Sequence, residues 1–92
     1  MIDFKLLRID EAILPFMNGD AITDIAEQFS DAVAVEFVKD NIVYQQTIPN
    51  SATWLKIFRA FDQVLLKSNE TEQLDLAGVV KKGKIIKPIW LK

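Results

Sequence analysis

The stretch Pro49–Ser68, PNSATWLKIFRAFDQVLLKS, restricts the fold more than any other part of the chain. At ~100° per residue, Val64, Ile57, Phe61, Trp54, Leu65 and Phe58 fall on one face of a helical wheel. Lys56, Arg59, Gln63 and Lys67 gather on the opposite side. Leu55 and Leu66 widen the apolar arc, so the helix is expected to be covered on more than one side. Asn50 is the expected N-cap, with Pro49 stapled onto Trp54; Lys67 and then Ser68-Asn69 mark the end. A rod of this kind needs an apolar surface to lie on, and the flanking residues supply strands.

Before the rod, Val33, Val35 and Phe37 alternate with Ala34 and Glu36, and Tyr44 and Ile48 resume the alternation after Asp40-Asn41. Asn and Asp tolerate positive φ, so Asp40-Asn41 reads as a hairpin turn pairing Val38 with Val43, Phe37 with Tyr44, Val35 with Gln46 and Val33 with Ile48. After the rod and a polar link, Leu74–Val80 and Ile85–Leu91 form a second hairpin turning at Lys82-Gly83. Pro88 lacks a backbone donor, which places this last strand at a sheet edge.

Towards the N-terminus, Ile2, Phe4 and Leu6 alternate with Asp3 and Lys5, while Leu7 and Ile9 take the other parity, as in a strand that is bulged or covered on both faces. Pro15 reduces residues 10–18 to a turn of helix or an irregular link, closed by Asn18-Gly19. Asp20 then caps an expected helix over about 21–29, with Ala21, Ile22, Ile25, Ala26 and Phe29 on its apolar face. The elements read strand, helix, hairpin, helix, hairpin. The expected fold is a single α+β domain over 1–92. In it an antiparallel sheet of two β-hairpins plus an N-terminal strand packs against two helices. The element order matches a ferredoxin-like βαββαβ with an extra C-terminal edge strand. A different strand order on the same helix-covered antiparallel sheet is the alternative.

Function is limited first by what is missing. The chain has no histidine and no cysteine, which removes the commonest general base, the commonest metal ligand and all thiol chemistry. No P-loop, dinucleotide fingerprint or nucleophile elbow is present. Paired carboxylates occur, Asp10-Glu11 and Asp20 with Asp24, but without a supporting base. We therefore expect no enzyme and no cofactor. The N-terminus lacks a basic head and an apolar middle, and no apolar run nears a membrane span, so a cytoplasmic protein is expected.

The net charge of −2 conceals a gradient: residues 1–50 carry −6, residues 51–79 carry −1, and residues 80–92 carry +5. Folding can bring the ends together and cancel it. Lys81, Lys82, Lys84 and Lys87 with Trp90 form a basic hairpin that can grip a phosphate backbone and stack on a base; lysines also protect sheet edges without any further role. The acidic residues Asp20, Asp24, Glu27, Asp31, Glu36 and Asp40 can steer a basic partner, or simply be a solvated helix face, a cap and a turn. Asp62, at the border of the apolar arc, reads as a rim carboxylate near Arg59. A helix-turn-helix fails because SDAVAVEFVKD, where a recognition helix belongs, alternates with period two. An RNA-binding sheet has Phe4 and Tyr44 available but no matching signature near them.

The reading that remains is a non-enzymatic protein-binding module, a small inhibitor of the phage-encoded anti-defence or immunity type. Its partner is a protein, including one within a nucleoprotein complex; neither a membrane nor a small-molecule substrate is expected. Lys81, Lys82, Lys84, Lys87, Trp90, Asp24, Glu27 and Asp31 are the candidate contact residues. The alternatives are nucleic-acid binding through the basic hairpin and a structural subunit of a phage or other assembly.

Overall fold

The computed structural model describes residues 4–9 and 22–91. The expected strand start at 2–3, the link over 10–18, its stop at 18–19, the cap at 20 and the helix start at 21 lie outside them. The amphipathic stretch forms the helix α1, Trp54–Lys67. Its N-cap is Thr53, whose hydroxyl accepts from the Lys56 N–H at 3.2 Å, and not Asn50. The reason lies outside the helix. Ser51 donates to the Ser30 carbonyl and the Ala52 carbonyl accepts from Ala26, holding the chain off helical geometry until residue 54. Two N–H groups that every helix leaves orphaned are met by carbonyls from the same region: Trp54 donates to Asp24 at 3.1 Å and Leu55 to Ile22 at 2.7 Å. The C-terminus ends in a Schellman motif. Asn69 takes φ 60°, Glu70 donates to Leu65 and Asn69 to Leu66, both at 3.1 Å.

Of the helix expected over 21–29, the described residues 22–29 form no α-helix. Residues 22–26 make a turn and a bridge between Ile25 and Thr53, followed by a single 3-10 turn, Glu27–Phe29. A helix this short has little stability of its own. Here the backbone carbonyls of Ile22 and Asp24 cap α1 instead of continuing a helix, and Ile25 stays 49% exposed while Ala26 and Phe29 are buried.

The five strands are β1 (Leu7–Ile9), β2 (Ala34–Lys39), β3 (Ile42–Thr47), β4 (Leu74–Lys82) and β5 (Ile85–Trp90), in one sheet of order β1-β4-β5-β2-β3. The first hairpin keeps the expected register, with Val38 opposite Val43, Phe37 opposite Tyr44 and Val35 opposite Gln46. Its turn residues Asp40 and Asn41 have φ 54° and 65°, and Ile48 donates to Val33 beyond the strand ends. The second hairpin turns one residue later than expected, at Gly83-Lys84, with Gly83 at φ 63° and Lys82 paired to Ile85.

The fold class differs from the expectation. The sheet is mixed, with β1 parallel to β4 and β2 parallel to β5. One α-helix covers it among the described residues, in place of two helices on an antiparallel ferredoxin-like sheet. The last strand is not an extra edge strand: β5 lies between β4 and β2, while β1 and β3 are the edges. Alternation in sequence fixes which face a strand buries. It carries no information on the neighbour a strand selects or the direction of that neighbour.

Leu7, Val35, Phe37, Leu76 and Ile86 bury one face of the sheet, against Ile57, Phe58, Phe61, Val64 and Leu65 of α1. Phe29 closes one end, its ring edge-on to Trp54 at 5.5 Å. Strand alternation turns Ala34, Glu36 and Val38 to the opposite face, where Val38, Val43, Val80 and Ile89 are exposed. No helix of the described residues is long and apolar enough to cross a membrane.

Candidate functional site: a cleft between two parallel strands

The site begins with a proline. Two-residue turns make Lys82/Ile85 and Lys39/Ile42 hydrogen-bonded closing pairs. Counting by twos, Glu36 and Val38 therefore aim their backbone groups towards β5, and Ile86 and Pro88 aim theirs towards β2. The parallel ladder runs through Ala34 with Ile85 and Val35 with Ile86. Its next rung would need an N–H at position 88 to meet the Glu36 carbonyl. Proline has none. The ladder stops there and the strands part.

The parting leaves a cleft of about 240 Å³ lined by Glu36, Phe37 and Val38 from β2 and by Lys87, Pro88 and Trp90 from β5. The Phe37 and Trp90 rings meet edge to face, with centroids 5.8 Å apart and planes at 84°. Across the strands Lys87 Nζ lies 3.2 Å from Glu36 Oε2, and Gln45 Nε2 donates to Glu36 Oε1 at 3.1 Å. The Glu36 side chain is only 14% exposed, against 42% for Lys87. The carboxylate is the fixed member of the pair and the ammonium the movable one.

The charge gradient along the sequence cancels in part in the fold. Lys81 pairs with Asp31 and Lys87 with Glu36, so two lysines of the basic hairpin are held by acids of the N-terminal half. The hydrogen bond from Lys81 holds the Asp31 carboxyl below its ordinary value, and the charges of Lys81 and Lys84 act in the same direction. Lys82 and Lys84 are exposed and have no salt-bridge partner among the described residues. Asp24 and Glu27 are exposed beside the N-terminus of α1, and the Asp24 carbonyl caps Trp54. Of the expected contact residues, the cleft collects only Lys87 and Trp90. It adds Phe37, Val38 and Pro88, which sequence reading did not consider as contacts, and Glu36, which it named only among the acidic residues able to steer a partner. Pro88 was the available signal: a proline in an interior strand marks the end of a ladder.

Asp62 is not a rim carboxylate. It is 7% exposed, and its oxygens accept from the N–H groups of Leu6 at 2.7 Å, Leu7 at 3.0 Å and Lys5 at 3.2 Å. A negative oxygen shared by successive backbone donors is a strong acceptor. It fixes the entry to β1 onto α1 and is occupied with structure.

The cleft offers apolar and aromatic surface and one ion pair. It lacks a paired nucleophile and base. Among the described residues no group of three or more His, Cys, Asp or Glu side chains could hold a metal ion. Its volume is below the roughly 300–1,000 Å³ of small-molecule sites and suits one large side chain. No protein-family model, no curated protein and no solved structure matches this chain.

Proposed function

We propose that this chain is a non-enzymatic protein-binding module of the inhibitor type, docking on a larger protein through the β2–β5 cleft and the sheet face around it. The observation that carries the reading is the cleft itself. Phe37, Pro88 and Trp90 line a hollow the size of one side chain, beside exposed Val38 and an internal ion pair. Aromatic rings around a small pocket, with aliphatic and polar surface at its margin, have the composition of binding hot spots. The basic hairpin is less favoured as a nucleic-acid grip because Lys81 and Lys87 are already neutralised by Asp31 and Glu36.

A tagged chain tests this directly. It should retain one defined protein at fixed stoichiometry, and Val38→Glu should abolish retention while leaving stability within about 0.5 kcal/mol. Retention unaffected by Val38→Glu sinks the reading. Retention of free DNA or RNA that falls steeply with salt and is weakened by Lys82→Glu would transfer the proposal to the nucleic-acid alternative.

A further inference from the structure

We propose that the cleft takes a basic side chain carried on an extended segment of the partner, an inference that rests on the protein-binding reading. Two independent observations select that occupant. The first is backbone: by the strand parity above, the Glu36 carbonyl and the backbone groups of Val38 face β5, beyond the last rung of the ladder. An extended segment laid across the mouth can reach such groups while one of its side chains enters the hollow.

The second observation is charge. Glu36 is largely buried, is held in place by Gln45, and already receives one ammonium, that of Lys87. Trp90 and Phe37 lie alongside. The rest of the lining is apolar and aromatic, which suits the aliphatic stem of a lysine or arginine whose charged end meets Glu36. An incoming carboxylate would have to approach Lys87 beside the fixed charge of Glu36. An incoming cation only displaces Lys87, whose exposed ammonium moves into water. Lys87 thus occupies the position of the ligand, and the free site is partly self-competed.

Nitrogen-15 NMR of the whole chain with three blocked tripeptides, valyl-arginyl-valine, valyl-glutamyl-valine and valyl-norleucyl-valine amides, tests the assignment. The arginine peptide should shift the Val38 amide and the Trp90 indole saturably, and bind about tenfold more tightly than either of the others. Glu36→Gln should erase that preference. Lys87→Ala should tighten arginine-peptide binding about threefold, since removing an internal competitor raises the fraction of open sites. A merely sticky surface would show no such gain. Equal affinity for the three peptides, no shift at Val38 and Trp90, or a Lys87→Ala variant that binds no better would each overturn the proposal. If that happens while a defined partner is still retained in a Val38-dependent way, only the basic-side-chain assignment fails. If the arginine peptide binds as expected but no protein is retained, the broader reading fails.

Discussion

The sheet contains two parallel junctions, and they are finished in opposite ways. At β1–β4 the ladder spans Leu7 with Leu74 to Ile9 with Leu76, and the run into it is clamped to α1 by the Asp62 carboxylate. At β2–β5 the ladder spans Ala34 and Val35 with Ile85 and Ile86 and then ends at Pro88. Both are short, so neither is held by backbone pairing alone. The first is closed by a buried acceptor and joins the core. The second is left open, with its next donor deleted, and its walls are lined with rings and an ion pair. A short ladder supported from the side is a structural joint; a short ladder interrupted within the sheet becomes a cleft.

The largest effect should come from the support the junctions share. Phe61 is fully buried in the core cluster, and Phe61→Ala should cost about 3–5 kcal/mol in denaturant unfolding. Arg59→Ala, on the exposed side of the same helix, should stay within about 0.5 kcal/mol. Equal losses would mean that the helix does not carry the junctions as described.

Next comes the clamp. Asp62→Ala strands the Leu6 and Leu7 donors, and by the cost of buried unmet groups should lose about 2–4 kcal/mol. Hydrogen exchange should accelerate first at Leu6 and Leu7. Asp62→Asn keeps one oxygen acceptor and should recover part of the loss. Unchanged exchange at those amides would remove the distinction between the joints.

Pro88→Val sharpens the comparison from the other side. Restoring an N–H should add a rung to the Glu36 carbonyl, visible as a protected amide at position 88, and should narrow the cleft. The stability change is expected to be about 1 kcal/mol or less, the scale of one net hydrogen bond. A solvent-exposed amide at 88 would mean that something other than proline holds the strands apart.

The smallest effect is at the far turn. The Asp31 carboxyl, hydrogen-bonded by Lys81, should titrate below its ordinary value of 3.8 in carbon-13 NMR, and Lys81→Met should return it towards that value. Because the folded value is depressed, the contribution is present above the unfolded pKa and is lost as pH falls through the folded one. An unchanged midpoint in the variant would show that the pair is not formed in solution.

Several features were legible in the residues because they are local. The helical periodicity of Trp54–Lys67, the Asp40-Asn41 turn with its register, and the glycine in the second turn each depend on neighbours a few positions away. The lysines and Trp90 could be picked out as chemically distinctive, but not their partners. Lys87 meets Glu36 and Trp90 meets Phe37 only because β5 lies beside β2. Asp62 looked peripheral for the same reason: its role is to receive β1, more than fifty residues away.

By itself, then, the sequence determined that this chain has one strongly amphipathic helix, two tight hairpins and no thiol or imidazole chemistry. Tertiary structure decided the rest. It drew residues 22–26 out of a helix to cap α1, placed β5 inside a mixed sheet, and turned Pro88 from an edge signal into the origin of a cleft. The physical reason is range. Periodicity and turn chemistry act within a few residues, whereas a strand's choice of neighbour and a buried acceptor's choice of donor are set by which long-range packing leaves the fewest polar groups unmet.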